Sequence, residues 1–353
     1  MAQSWIETEP TVPWTLRVSA RLPFAPYWTS VAIGLGYLVL VVIRGLATGT
    51  FSDEAIGSGP FWEQPGWWTV FVNAAMVSLG PTVMLYSLLG TTQDVRDLQP
   101  ALGCSNAELE RCVQSATRLS KPLMRFWGIS IMLITLVGTS MDPVLSPIHG
   151  RPPLTDPQYL FAACRHAFIG WWMARAIYVD ITTARAFSNL AQSLRQVDLL
   201  DLRPLLPFTR RGVRSVLFWM TASAILSLFW LGPHASPGNP MALVWFVGVA
   251  GVTLSLPLGA VHRRIRSQKH AELERIRSAI RADQAVLLED AGSDAAAASQ
   301  LPALVAAEAR VASVREWPFD ASTVARFALY VSVGVGSWLG GALVERLLGT
   351  VLD

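Results

Sequence analysis

The stretch YLFAACRHAFIGWWMARAIYVD, residues 159–180, decides the fold class of this chain. It is apolar enough and long enough to cross a bilayer as a helix, which needs about 20 residues. Yet it carries Arg165 and His166 near its middle, and Arg175 and Asp180 towards its end. Because a charged side chain costs about 2.5–3.5 kcal/mol at the centre of a bilayer, we expect Arg165 to face protein or water and not lipid.

The composition extends this membrane interpretation to the whole chain. Only 15% of the 353 residues are charged and 52% are hydrophobic, whereas soluble proteins average about 25% charged residues. The net charge of +3 is too small to indicate a polyanionic partner. The three cysteines form no CxxC pair, so neither a zinc ribbon nor a thioredoxin-like redox site is predicted.

Hydropathy predicts seven spans, and each must be helical because lipid offers no hydrogen-bond partners to backbone amides. The predicted spans are 27–47, 67–89, 123–142, 159–180, 213–232, 241–262 and 320–345. Basic residues alternate between the connections: 49–66 contains no Arg or Lys, whereas 263–281 is rich in them. The positive-inside rule therefore predicts a cytoplasmic N-terminus and an external C-terminus in the plasma (inner) membrane.

The predicted fold class is all-α, a polytopic integral membrane protein of seven transmembrane helices with a small cytoplasmic helical bundle. The expected regions are a cytoplasmic tail at 1–26, six transmembrane helices with helical connections at 27–262, a cytoplasmic hairpin at 263–316, and the seventh transmembrane helix with an external C-terminus at 317–353.

Two local patterns predict the helical connections. Ser105 and Glu108 match a capping box, which starts a helix. Apolar residues recur at helical spacing in the hairpin and predict its buried face. They are Leu273, Ile276, Ile280 and Leu287.

The candidate intramembrane polar site consists of Arg165, His166, Arg175 and Asp180. One interpretation is an anion or proton pathway, and the other is a buried polar cluster that fixes helix packing. No carboxylate lies squarely inside a predicted span, which argues against a cation site that depends on an intramembrane carboxylate.

Neighbouring aromatic residues are expected to shield these arginines. Arg165 and Trp172 share a helix face, so Trp172 is expected to cover the stem of Arg165. Arg175 lies four residues from Trp171, and we expect it either to stack on that ring or to extend to the membrane interface.

The last predicted span is rich in small residues. Ser332, Gly336 and Gly340 form one stripe at a spacing of four, and Ser337 and Gly341 form a second. Such stripes usually allow close helix packing, and lining a narrow pore is the alternative.

The predicted layout resembles that of the insect olfactory and gustatory receptor channels. The shared features are seven spans, an internal N-terminus, extended fourth and sixth helices, and a small-residue final helix. The resemblance implies a tetramer whose last helices line a pore. The aromatic and glutamine signature of that family's last helix is absent from this sequence.

These patterns predict a channel, a ligand-gated receptor or a transporter-like protein for an anionic solute. The alternatives are a membrane-embedded enzyme or assembly factor for lipid or envelope precursors, and a non-catalytic membrane scaffold. No catalytic motif is found, and no cofactor or metal is expected. The expected partners are the bilayer, with its anionic inner leaflet, and further copies of the chain, but no nucleic acid. Arg210, Arg211 and Arg214 are expected to touch anionic lipid.

Overall fold

The structure of the protein is a computed structural model that is all-helical throughout the part of the chain it describes. The described residues are 26–48, 65–140, 157–194, 198–231, 240–289 and 295–317, with the single positions 325, 328, 329, 332 and 336. The predicted all-α class is confirmed for these residues.

Nine α-helices follow one another along the described residues. They are α1 (Pro26–Thr48), α2 (Pro65–Asp97), α3 (Gln99–Leu102), α4 (Asn106–Thr117), α5 (Lys121–Ser140), α6 (Pro157–Gln192), α7 (Leu206–Ser227), α8 (Pro240–Glu289) and α9 (Ala295–Ala312). Helix α8 has 50 residues, which is about 75 Å at a rise of 1.5 Å per residue. It is therefore much longer than the ~30 Å hydrocarbon core of a bilayer.

Long helices run up and down beside one another. Helices α2 and α6 run parallel, since Ser87 contacts Asp180 and Gly80 lies beside Trp172. Helix α7 runs antiparallel to α2: Trp68, near the start of α2, donates a hydrogen bond to the carbonyl oxygen of Leu228, which follows α7. With the helices arranged in these directions, exposed basic residues of several helices lie at the same end of the bundle, which we call the arginine-rich end. They are Arg96, Lys121, Arg185, Arg210 and Arg263.

Two buried apolar clusters are stacked along the bundle. The upper core includes Met84, Leu88, Trp172, Trp219 and Phe246. The lower core, nearer the arginine-rich end, includes Leu98, Leu109, Phe187, Phe208 and Val261. Each of α2, α6, α7 and α8 contributes to both cores. Between the two cores these helices carry buried polar residues, which we call the polar layer: Ser87, Asp94, Asp180, Thr183, Arg211, Ser215 and Thr253.

The surface around the upper core is apolar, as a lipid-facing surface must be. Leu35 of α1, Phe126 and Ile134 of α5, and Val244 of α8 are all more than half exposed. Four helical segments of the described chain are long and apolar enough, by length and composition, to cross a membrane. They are Trp28–Ala47, Trp68–Asp97, Asn106–Gly138 and Val244–Ala285. The protein thus has the helices of a membrane-embedded protein.

Six of the seven predicted spans fall on long helices of the structure, although α6 and α7 are not among the four candidate membrane spans. Both carry several charged residues, which lowers their hydropathy. The fifth predicted span, 213–232, is displaced: α7 starts at Leu206, with a proline in its first turn, and ends at Ser227. Proline is favoured there because its missing N–H has no helical partner to lose. Most of the seventh predicted span, 320–345, lies outside the described residues.

A helical hairpin is formed by α8 and α9. Leu273 and Ile276 are buried against Val311, and Ile280 is partly buried beside them, so the predicted apolar face is confirmed for these three residues. The side chain of Leu287 lies outside the described residues. The capping box is also confirmed: the Ser105 side chain accepts a hydrogen bond from the Glu108 backbone, and the Glu108 side chain accepts one from the Ser105 backbone.

Candidate functional site

Asp180 of α6 is the centre of the polar layer and has no exposed surface. Its Oδ1 accepts hydrogen bonds from Arg211 Nη2 at 2.5 Å and from Ser87 Oγ at 3.2 Å. Its Oδ2 accepts from Trp219 Nε1 at 2.8 Å and from the Ser215 hydroxyl. Both carboxylate oxygens thus have donors, which is what a buried charge requires.

Arg211 of α7 supplies the opposite charge and is also completely buried. Its Nη2 lies 2.5 Å from Thr183 Oγ1 and 3.1 Å from the Asp180 carbonyl oxygen. Its Nε and Nη1 have no hydrogen-bond partner among the described residues. Removing either partner of such an ion pair would leave an uncompensated buried charge, which costs about 3–5 kcal/mol.

The spacing of α7 explains why so many donors reach one carboxylate. Arg211, Ser215 and Trp219 recur every four residues and so share one helix face. Ser215 also lies 2.6 Å from Thr253 of α8, oxygen to oxygen. The Asp180 carboxylate therefore joins α2, α6 and α7 directly, and α8 through Ser215.

A second ion-pair network lies beside the first. Asp94 of α2 is buried, and its Oδ1 accepts a hydrogen bond from Arg210 Nε at 2.7 Å. Its Oδ2 lies 2.8 Å from Arg214 Nη2. Arg210 reaches on to Asp97 at the surface. The three arginines of α7 are thus balanced by three aspartates across the two networks.

Arg175 of α6 is held in a different way. Its guanidinium carbon lies 5.0 Å from the ring centre of Trp171 and 5.2 Å from that of Trp172. It is 9% exposed, and it forms no ion pair with a carboxylate of the described residues. Two glycines make room for these residues, since a Cβ at Gly128 would lie 2.8 Å from a ring carbon of Trp171 and a Cβ at Gly80 would lie 2.8 Å from the Cβ of Trp172.

Arg165 lies further along α6, away from the arginine-rich end. Its Nη2 is 3.0 Å from His166 Nε2. Arginine can only donate, so His166 Nε2 is the acceptor and the proton of the neutral ring is on Nδ1. The Nε of Arg165 is buried without a hydrogen-bond partner, and within the described ranges no carboxylate forms an ion pair with this arginine.

The four predicted polar residues do not form one cluster. Arg165 and His166 contact each other, Arg175 is enclosed by tryptophans, and Asp180 belongs to the polar layer. Asp180 lies five residues beyond Arg175, so it points about 140° away around the helix. Of the two alternatives expected for Arg175, the structure shows stacking on Trp171. It also places Trp172 against Arg175, and no cation–π contact joins Trp172 to Arg165.

The expectation that the arginines of α7 touch anionic lipid is wrong for Arg211. Arg211 does not touch lipid, because its side chain is fully buried on Asp180. Arg214 is 10% exposed and pairs with Asp94, and Arg210 also binds Asp94. The signal that could have revealed this arrangement is the polar stripe Arg211–Ser215 at the start of an otherwise apolar helix.

The predicted small-residue stripe is described at two positions only. Ser332 and Gly336 are helical and exposed, and nothing lies within 4 Å of a Cβ built at Gly336. Gly340, Ser337 and Gly341 lie outside the described residues. The choice between helix packing and pore lining therefore stays a prediction.

Comparisons with models of known protein families, with curated proteins and with solved structures gave no match for this chain. The resemblance to the insect receptor channels is thus one of predicted layout only. Among the described residues, no group of three or more His, Cys, Asp or Glu side chains could hold a metal ion.

Proposed function

We propose that this protein is a channel, ligand-gated receptor or transporter-like membrane protein that handles an anionic solute, and that Arg165 and Arg175 contact this solute. One observation carries the proposal. Both arginines lie on α6 with at least part of the guanidinium buried, and neither forms an ion pair with a described carboxylate. The arginines of α7, in contrast, are all paired.

Uncompensated positive charge inside a helix bundle favours an anion. A buried cation is costly without a counter-charge, and a mobile anion supplies one. Arg165 and Arg175 are ten residues apart, about 15 Å along the helix axis. They would thus serve as two successive contact points, as rings of basic side chains do in anion pores.

His166 orients Arg165, the contact point that lies farther from the arginine-rich end. Because its Nε2 accepts one N–H of Arg165, that edge of the guanidinium is fixed in direction. Other N–H groups of Arg165, including the buried Nε–H, are not used by this contact. An anion with two or more oxygens fits such a donor set, since guanidinium groups bind oxyanions with paired hydrogen bonds.

The proposal includes the topology. Seven transmembrane helices with the N-terminus in the cytoplasm of the plasma (inner) membrane would place the arginine-rich end and the hairpin of α8 and α9 on the cytoplasmic side. A reporter fused after Asp353 should then be active only outside the cytoplasm. A fusion active only in the cytoplasm would overturn this orientation.

The functional test is anion uptake by vesicles that contain the purified full-length protein. Arg165→Gln and Arg175→Gln each remove one charged contact, worth about 1.5–3 kcal/mol. Each should lower uptake of the permeant anion about tenfold or more. Arg185→Gln, which changes an exposed arginine of the same helix, is the matched control and should leave uptake unchanged.

The outcomes separate the proposed function from its alternatives. Equal uptake by the wild type and by both variants would overturn the role of the two arginines. If no common inorganic or organic anion is taken up by the wild-type protein, the alternatives gain support. These are an enzyme or assembly factor for lipid or envelope precursors, and a membrane scaffold.

A further inference from the structure

A cleft of about 630 Å³ opens near the arginine-rich end, between the connection after α6 and the end of α9. Part of its lining is apolar and open to solvent. Leu200 is 60% exposed, Leu206 is 43% exposed and Trp317 is 46% exposed. Large apolar side chains gathered in one exposed cleft are typical of a binding surface.

The charged lining of this cleft is mainly positive. It consists of Arg203, Arg310, Arg315 and Asp201. Arg203 lies 4.0 Å from Asp201, and its side chain is 89% exposed, so this contact neutralises little charge. Arg310 and Arg315 are exposed and form no ion pair with any carboxylate that the structure describes. The cleft therefore presents at least two uncompensated arginines beside an apolar surface.

The cleft lies at the depth where a membrane surface is expected. Leu206 is one helical turn from Arg210, a member of the arginine-rich end. Trp317 stacks on His262 with ring centres 4.2 Å apart, next to Arg263. The last partly exposed apolar side chain of α8 before this end is Leu256, about 9 Å from His262 along the helix. The headgroup layer of a bilayer extends about 5–7 Å beyond its hydrocarbon core, so the cleft lies near the outer side of that layer.

We propose that this cleft binds an anionic phospholipid. Arg310 and Arg315 would contact the phosphate and headgroup, and Leu200, Leu206 and Trp317 would pack against the first part of an acyl chain. Basic pockets of this kind at the cytoplasmic membrane surface are the usual sites for anionic headgroups. An anion without an acyl chain would leave the apolar surface in contact with water, and a neutral lipid would leave the arginines uncompensated.

Titration of the purified full-length protein in a neutral detergent tests the proposal. The probe is dioctanoyl phosphatidylglycerol, and bound lipid is counted by native mass spectrometry. The double variant Arg310→Gln/Arg315→Gln should bind this lipid about tenfold more weakly, because each basic residue near an anionic surface changes affinity several-fold. The double variant Arg118→Gln/Arg185→Gln is the matched control: it removes the same charge from exposed positions outside the cleft and should bind like the wild type.

Two further probes identify which part of the lipid is recognised. Dioctanoyl phosphatidylcholine should bind at least several-fold more weakly than the anionic lipid, and glycerol phosphate should compete poorly because it lacks acyl chains. The proposal would be overturned if the two lipids bound equally well, or if glycerol phosphate or a polyglutamate peptide competed fully with the anionic lipid. It would also be overturned if the control variant lost as much lipid affinity as Arg310→Gln/Arg315→Gln.

A second variant tests the apolar surface independently of the arginines. Leu200→Asp places a carboxylate beside the proposed acyl chain, and the exposed position makes a folding defect unexpected. It should abolish retention of the anionic lipid while thermal unfolding in detergent stays unchanged. Wild-type retention by this variant would exclude a lipid in the cleft, whatever the outcome for anion uptake through α6.

Discussion

Two groups of arginines lie in the helix bundle, and they differ in what balances their charge. The three arginines of α7 are paired with aspartates, and the most buried of them, Arg211, lies 2.5 Å from Asp180. On α6, Arg175 is enclosed by two tryptophan rings, and Arg165 donates to a histidine. Neither forms an ion pair with a described carboxylate.

Under the proposed function, this difference separates a structural role for the arginines of α7 from a solute-binding role for those of α6. An arginine whose charge is balanced by a buried aspartate is compensated by the protein itself, so its removal damages the folded state. An arginine enclosed by aromatic rings gains about 2 kcal/mol or more from the contact when it is desolvated, but it also bears the cost of a buried charge. Such a residue contributes little net stability, and in the proposed function its positive charge serves the solute.

The largest effect is expected from Arg211→Met. This change leaves Asp180 buried without its counter-charge, so the free energy of unfolding should fall by about 3–5 kcal/mol. Denaturation of the full-length protein by sodium dodecyl sulfate in mixed micelles, followed by tryptophan fluorescence, measures the loss. Arg185→Met, the same substitution at an exposed position of α6, should change the free energy by no more than about 0.5 kcal/mol.

Adding Asp180→Leu to Arg211→Met sharpens this prediction. If the two residues compensate each other, the double variant should be more stable than Arg211→Met alone, because no unpaired charge is then buried. A double variant as unstable as the sum of the two single variants would contradict the assignment of a coupled pair.

Asp94→Asn should have the next largest effect. The amide keeps the shape of the side chain but removes the charge that balances Arg210 and Arg214. Charge-assisted hydrogen bonds contribute about 1.5–3 kcal/mol, and Arg210 retains Asp97 and solvent, so we expect a loss of about 2–3 kcal/mol. Asp201→Asn, at an exposed aspartate, is the control. A loss below about 0.5 kcal/mol for Asp94→Asn would show that the second network does not stabilise the fold.

The sequence predicts the helical elements well because their signals are local. Long apolar stretches, the capping box at Ser105 and the periodicity of Leu273 and Ile276 each depend on residues close together in the chain. The predicted fifth span begins seven residues after the first residue of α7, because Arg210, Arg211 and Arg214 lower the local hydropathy. A polar stripe that faces other helices looks the same in a hydropathy profile as a stripe that faces water.

The polar layer around Asp180 is predictable from the sequence only in part, because its contacts join residues that are far apart in the chain. Asp180 and Arg211 are 31 residues apart, and Ser87 is 93 residues from Asp180. The positive-inside rule accounts for the side of the membrane on which arginines collect, but it does not distinguish a lipid-facing arginine from one that pairs inside the bundle. The contact of Arg175 with Trp171 was predictable because the two residues lie one turn apart in α6.

The smallest effect on stability is expected from Arg175→Met, and this variant decides the comparison between the two helices. Methionine fills a similar volume between Trp171 and Trp172, and the buried charge is lost together with its cation–π contacts. The stability gained by removing a buried charge nearly cancels the stability lost with the cation–π contacts. The free energy of unfolding should therefore stay within about 1 kcal/mol of the wild-type value. Anion uptake should fall as it does for Arg175→Gln. The opposite outcome is a loss of stability equal to that of Arg211→Met, with normal anion uptake per folded molecule. Arg175 would then be a structural residue, and the distinction between the arginines of α6 and α7 would no longer hold.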